Sequence, residues 1–152
     1  MKQLITFFSI LFLLAGCNND NEHSKQSTVE FSVVAQGNPS PSQTQNISKS
    51  NLVIKDTESW NSLLSKMSTY ETSRFSENNI DFTNYQIIVV FDQVYGNGGH
   101  SIDITRITEN HNTVFVKVEN LKKGNLTSVV TQPYHIVKIA KTTKKQFLNN
   151  ML

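Results

Sequence analysis

Residues 86–107 read QIIVVFDQVYGNGGHSIDITRI. Ile87, Ile88, Val89, Val90 and Phe91 stand in succession, and a short run of this kind suits a strand buried on both faces. Gly96, Asn97, Gly98 and Gly99 follow, a composition that lets the chain return tightly. From His100 to Thr105 the pattern alternates, with Ile102 and Ile104 on one face and Ser101, Asp103 and Thr105 on the other. The stretch predicts a central hairpin with a glycine loop at its tip. It specifies a framework and a display surface, and no chemistry.

Outward from this stretch the pattern stays mixed. Val29, Phe31 and Val33 alternate with polar residues and predict a first strand over 28–35. Residues 36–46, with Gly37, Pro39 and Pro41, form a loop, and 47–54 a second strand. Asp56 has the character of an N-cap, after which Trp60, Leu63, Leu64 and Met67 make one apolar helical stripe. The polar segment 68–84 pins itself to the core through Tyr70, Phe75, Ile80 and Phe82. Val114, Val116 and Val118 mark a strand over 113–119, turns surround His111 and Gly124, and a last strand runs over 133–141. Thr143 and Gln146 resemble a capping box for a short final helix carrying Phe147, Leu148 and Met151. The expected class is α+β: a twisted antiparallel sheet, partly barrel- or sandwich-like, with one or two packed helices.

Composition limits the partners. The net charge of +2 falls to +1 once Lys2 is removed with the leader, and the only basic doublets are Lys122-Lys123 and Lys144-Lys145. A nucleic-acid surface needs clustered Lys and Arg, so none is expected.

The N-terminus carries an address. Lys2 precedes an apolar stretch, Leu4 to Ala15, broken only by Thr6 and Ser9. These 12 residues would span about 18 Å as a helix, short of a hydrocarbon core about 30 Å thick. Leu14-Ala15-Gly16-Cys17 resembles the bacterial lipobox, which implies cleavage before Cys17, a diacylglycerol on its sulfur and palmitate-type chains that hold the protein on a membrane. Cys17 is the only cysteine, so no internal disulfide forms. Asn18, where some bacteria place an inner-membrane Asp, favours an outer-membrane or surface location. The expected organisation is a signal peptide over 1–16, the lipidated cysteine and a flexible tether over 17–28, and one globular domain over 29–152. Residues 18–27 contain no apolar side chain and extend to about 35 Å.

No catalytic constellation emerges. His23 and His111 lie in polar segments, while His100 and His135 each begin a strand and could approach one another. No HxH, HExxH or CxxC spacing accompanies them, so neither metal nor cofactor is expected. Serines are plentiful, but none sits in GxSxG or SxxK. Asp92 and Asp103 flank the glycine loop and read as strand ends rather than a hydrolase pair. The glycine loop leads into a strand, whereas phosphate cradles lead into a helix.

Residues 98–104 (GGHSIDI) and 131–139 (TQPYHIVKI), with the buried strand and the Trp60 helix before them, resemble the C-terminal domain family of the protease-complex subunit PrcB. The resemblance covers about 86–141. It implies a non-catalytic accessory lipoprotein that binds an extracytoplasmic protease, and no catalytic residue is carried over. A second similarity concerns three loops: Asn38-Pro39, Gly96-Asn97-Gly98-Gly99 and Gln132-Pro133-Tyr134 are arranged as in chagasin-type cysteine protease inhibitors. The first loop lacks that family's Thr-Thr-Gly continuation, and Gln132 stands where it has arginine. Gly96, Asn97, Gly98, Gly99, His100, Gln132, Pro133 and Tyr134 are thus the expected partner-binding residues. A third reading, a small-ligand- or glycan-binding envelope protein, requires a pocket lined by Tyr70, Phe75, Tyr95 or Tyr134.

Overall fold

A computed structural model describes residues 26–45 and 47–150. The signal segment, Cys17, most of the tether and Met151 lie outside the described residues. The elements are β1 (Ser27–Thr28), β2 (Ser32–Gly37), a 3-10 turn (Pro41–Thr44), β3 (Ser50–Ile54), α1 (Thr57–Ser65), α2 (Thr69–Thr72), β4 (Tyr85–Phe91), β5 (Asp103–Glu109), β6 (Thr113–Glu119), β7 (Tyr134–Ala140) and β8 (Lys145–Asn150). They form two four-stranded sheets, ordered β2-β7-β4-β3 and β1-β5-β6-β8. Among the described residues no helix is long and apolar enough to cross a membrane.

The β2-β7-β4-β3 sheet is the middle of three layers, which explains the unbroken run in β4. Ile87, Val89 and Phe91 pack with Trp60, Leu63, Met67 and Phe75 on the helix side. Ile88 and Val90 face the other sheet and pack with Ile104, Ile107, Val114, Val116 and Val118. β7 alternates likewise, with Tyr134 and Ile136 in the first cluster and Val137 and Ile139 in the second. A strand apolar on one face only could not join both cores. α1 starts where Asp56 accepts the Ser59 N–H at 2.8 Å, and Trp60 Nε1–H donates to the Asn78 carbonyl at 2.8 Å.

Several expectations change. The central hairpin does not form: β4 pairs with β3 and β7, while β5 pairs with β1 and β6 in the outer sheet. Both edges of β4 are occupied, so the chain after it crosses to the other layer. The first expected strand divides between sheets, and a bulge after Val33 leaves that side chain 47% exposed while Val34 and Ala35 turn inward. Segment 68–84 contains α2, and Tyr70 is exposed although Phe75, Ile80 and Phe82 are buried.

The expected final helix is instead β8, and it pairs with β6 in parallel. The arrangement is thus antiparallel except for this one pairing. Phe147 and Leu148 are adjacent, and a strand sends them to opposite faces. Leu148 reaches the core between the sheets, and Phe147 meets Phe115 edge-on at 6.3 Å on the outer face. Instead of capping a helix, Gln146 Nε2 donates to the Lys144 carbonyl at 2.7 Å.

Candidate functional site

The glycine loop is braced by the segment that follows β6. Tyr95 and Thr131 exchange backbone hydrogen bonds at 2.8 and 3.0 Å. Further along, Gly98 N–H donates to the Thr127 carbonyl at 2.9 Å and Asn125 N–H to the Gly98 carbonyl at 2.8 Å. Residues 94–100 and 121–131 therefore form one two-loop platform at the end of the central sheet where β4 finishes and β7 starts. Gly99 and Gly124 have φ of 76° and 98°, and a Cβ on Gly124 would collide with the His100 ring. His100 stacks on Tyr95 with ring centres 3.6 Å apart, and its Nε2 lies 3.0 Å from Asn97 Oδ1.

Asp92 anchors the root of the platform. Its carboxylate accepts from Gln93 N–H and Tyr95 O–H, each at 2.8 Å, and from Asn120 Nδ2; Lys49 Nζ lies 3.2 Å away. Burial pushes its pKa up, but the donors from Tyr95, Gln93, Lys49 and Asn120 outweigh it and hold the carboxyl below its usual range. Tyr95, partly buried and bonded to that anion, is pushed up to about 12. Asp103 accepts from Ser101 Oγ–H, Gln36 Nε2 and Leu121 N–H. The two aspartates thus serve separate networks, joined through Asn120, which also donates to the Ser101 carbonyl at 2.9 Å. Each is an acceptor that fixes loops.

The eight expected binding residues divide in two. Gly96 is exposed, and Asn97, Gly99 and His100 are partly so, whereas Gly98 is buried beneath Val129. Gln132, Pro133 and Tyr134 are all buried. Gln132 Nε2 donates to the carbonyls of Ile47 and Asp92, its Oε1 accepts from Thr44 Oγ1–H at 2.9 Å, and its own N–H donates to the Pro39 carbonyl at 2.8 Å. Tyr134 O–H donates to buried Glu71 at 2.8 Å, and burial, followed by that bond, raises the phenol's pKa. In this structure these three residues join loops and present no side chain to a partner.

The three loops do meet in space. Asn38 Nδ2 donates to the His100 carbonyl at 3.1 Å, and Thr131 Oγ1–H to the Asn97 carbonyl at 3.0 Å. The proposed aromatic pocket is not assembled. Phe75 and Tyr134 pack together in the core, Tyr95 stacks on His100, and exposed Tyr70 lies under the Arg74 guanidinium. An open groove of about 340 Å³ runs beside Tyr70. Nor do the strand-starting histidines share a site: His135 is buried between the sheets, accepting the Ile104 N–H at 2.9 Å, while His100 sits on the platform. Among the described residues no three His, Cys, Asp or Glu side chains gather as a metal site.

Beside Lys122, Lys123, Asn125, Thr127 and Ser128, the platform exposes aliphatic side chains. Val94, Leu121, Leu126, Val129 and Val130 are all exposed, and Leu126 is fully so. These lie between β4 and β7, inside the segment that carries the sequence resemblance. Residues 87–140 match the PrcB C-terminal family. The PrcB C-terminal match thus begins in β4, includes both platform loops and ends in β7. It agrees with a coarse reading as an accessory domain of a protease complex. No curated protein and no solved structure matches the chain, so the chagasin-type similarity rests on its loops alone.

The five exposed aliphatics were not among the sequence-derived site residues. Their signal was present as Leu126, Val129 and Val130 in a polar stretch with no helical or strand period, where apolar residues have no core to enter.

Proposed function

We propose that this protein is a non-catalytic accessory lipoprotein, held to an envelope membrane through lipid on Cys17, that docks a protein partner on the platform of residues 94–100 and 121–131. The observation that carries this reading is the set of five exposed aliphatics on loops braced by reciprocal backbone bonds. Soluble surfaces carry single apolar residues freely, but several on one rigid platform mark an interaction site. The PrcB C-terminal match makes a secreted or surface protease the leading partner, and Asn18 favours an outer-membrane or surface location. The stacked Tyr95–His100 pair and the Asp92 network limit loop motion, so little ordering entropy opposes binding.

Capture from envelope extracts tests this. The full chain should retain an exported protease in stoichiometric amount, and Leu126→Asp should weaken retention about thirtyfold, the effect of losing about 2 kcal/mol at a central contact. Equal retention by the variant would refute the platform.

The convergence of the 38–39, 96–99 and 132–134 loops, through Gln132 N–H to the Pro39 carbonyl and the flanking Asn38–His100 and Thr131–Asn97 bonds, supports a second reading, direct protease inhibition. It predicts that the purified protein slows a papain-like protease through exposed residues of the glycine loop, since buried Tyr134 cannot enter an active-site cleft.

A further inference from the structure

β3 is the outer strand of the central sheet, and a groove of about 420 Å³ lies between it and α1. Register places Leu52 opposite Val89 and Ile54 opposite Ile87, so both point to the helix side. α1 covers Ile54 but leaves Leu52 38% exposed on the groove floor. Leu63 lines the opposite wall, with Ser59, Ser62 and Lys66 at its rim. The sheet's other outer strand is guarded: Ser76 N–H donates to the Val34 carbonyl of β2 at 2.9 Å and Ser76 Oγ–H to the Val33 carbonyl at 3.1 Å. β3 reads Ser-Asn-Leu-Val-Ile, with no charge and no proline to discourage pairing.

We propose that the β3–α1 groove binds an extended segment of a partner protein by strand addition, the segment carrying alternating aliphatic side chains and an acidic residue at the end beside Lys66. Main-chain hydrogen bonds to an outer strand supply affinity, and the space between the Leu52 floor and the Leu63 wall accepts every second side chain. Charge decides among occupants. A second copy paired antiparallel about Leu52 would set Lys49 of each chain, already paired with Asp92, opposite Lys55 of the other, and β3 itself brings no acid, so charge contributes nothing to such pairing. Lys66 bonds no acid among the described residues, while Asp56 at the far end is satisfied by Ser59 N–H and Oγ–H. An acidic residue therefore gains most at the Lys66 end. The inference rests on reading the domain as a protein-binding module, but on a surface separate from the platform.

Linear random octapeptides displayed on phage would be panned against the full chain in detergent micelles, and enriched sequences remade as free peptides. Alternating aliphatics ending in Asp or Glu are expected. Leu52→Lys should weaken their binding about tenfold, and Lys66→Glu about fivefold with selection moving toward basic ends. Leu126→Asp should leave peptide affinity unchanged, so the groove and the platform stand or fall separately. Absence of enrichment, enriched peptides without the pattern, affinities untouched by both groove variants, or a wild-type dimer abolished by Leu52→Lys would each overturn the proposal.

Discussion

Ile104 donates its backbone N–H to Nδ1 of His135, so the neutral ring carries its proton on Nε2, a buried atom with no hydrogen-bond partner among the described residues. Protonating Nδ1 would set two donors against each other. Burial therefore lowers the His135 pKa from 6.5, although the nearby Asp103 charge pulls it up. Because the folded value lies below the unfolded one, stability is full above about 6.5 and falls as acid protonates the unfolded chain first. The loss is at most roughly 1.4 kcal/mol per pH unit. Urea midpoints at pH 7.5 and 5.5 should show the wild type losing more than His135→Gln, whose side chain accepts the same N–H and does not titrate. Parallel behaviour of the two would show that His135 is not the group responsible. None of this was legible beforehand: His135 is recognisable as a strand-starting residue, but the bond that governs its ionisation joins two sheets.

At the scale of elements, α1 was readable because its start and its stripe are both local. Asp56 caps it, and Trp60, Leu63 and Met67 are buried as their spacing requires. Trp60 is the helix's largest anchor, packed beside Phe75 with ring centres 6.2 Å apart. Trp60→Ala should cost about 3 to 5 kcal/mol, measured as a fall in denaturant midpoint with little change in slope. A loss under about 1 kcal/mol would mean that the helix is held some other way. β8 was misread for the opposite reason. Thr143 and Gln146 fit a helix start, but strand formation places Leu148 in one packing layer and Phe147 in another, and only the β6 edge makes that favourable.

For the whole molecule, the proposed unit of function is a braced platform and an edge strand on a domain that lipid on Cys17 would tether near a membrane. If Cys17 carries acyl chains as proposed, each buried methylene contributes about 0.8 kcal/mol, and two chains would hold the domain durably. Cys17→Ser should therefore move the protein from the membrane to the soluble fraction without altering its thermal midpoint. Retention of the variant on membranes would show that another feature anchors it. The glycine loop illustrates how much of the candidate site was visible. Gly96, Asn97, Gly99 and His100 were expected at the surface and are at least partly exposed, whereas Gly98 is buried, and neither the segment 121–131 that braces them nor the aliphatics it exposes were foreseen. Gln132 and Tyr134 were expected to bind a partner, yet their bonds to Ile47, Asp92, Thr44 and Glu71 show them holding the loops from within.

The sequence by itself determined the β-rich class, the buried strand at 87–91, the capped helix carrying Trp60, and the PrcB-like stretch, because each depends on neighbours within a few positions or on periodicity along one element. Only the tertiary structure decided that β4 lies between β3 and β7, that β8 runs parallel to β6, and that Leu126 and Leu52 remain exposed. Those outcomes depend on which distant edges and faces are already occupied. Side-chain periodicity tells a strand that it has an apolar face, but packing chooses the surface that covers it.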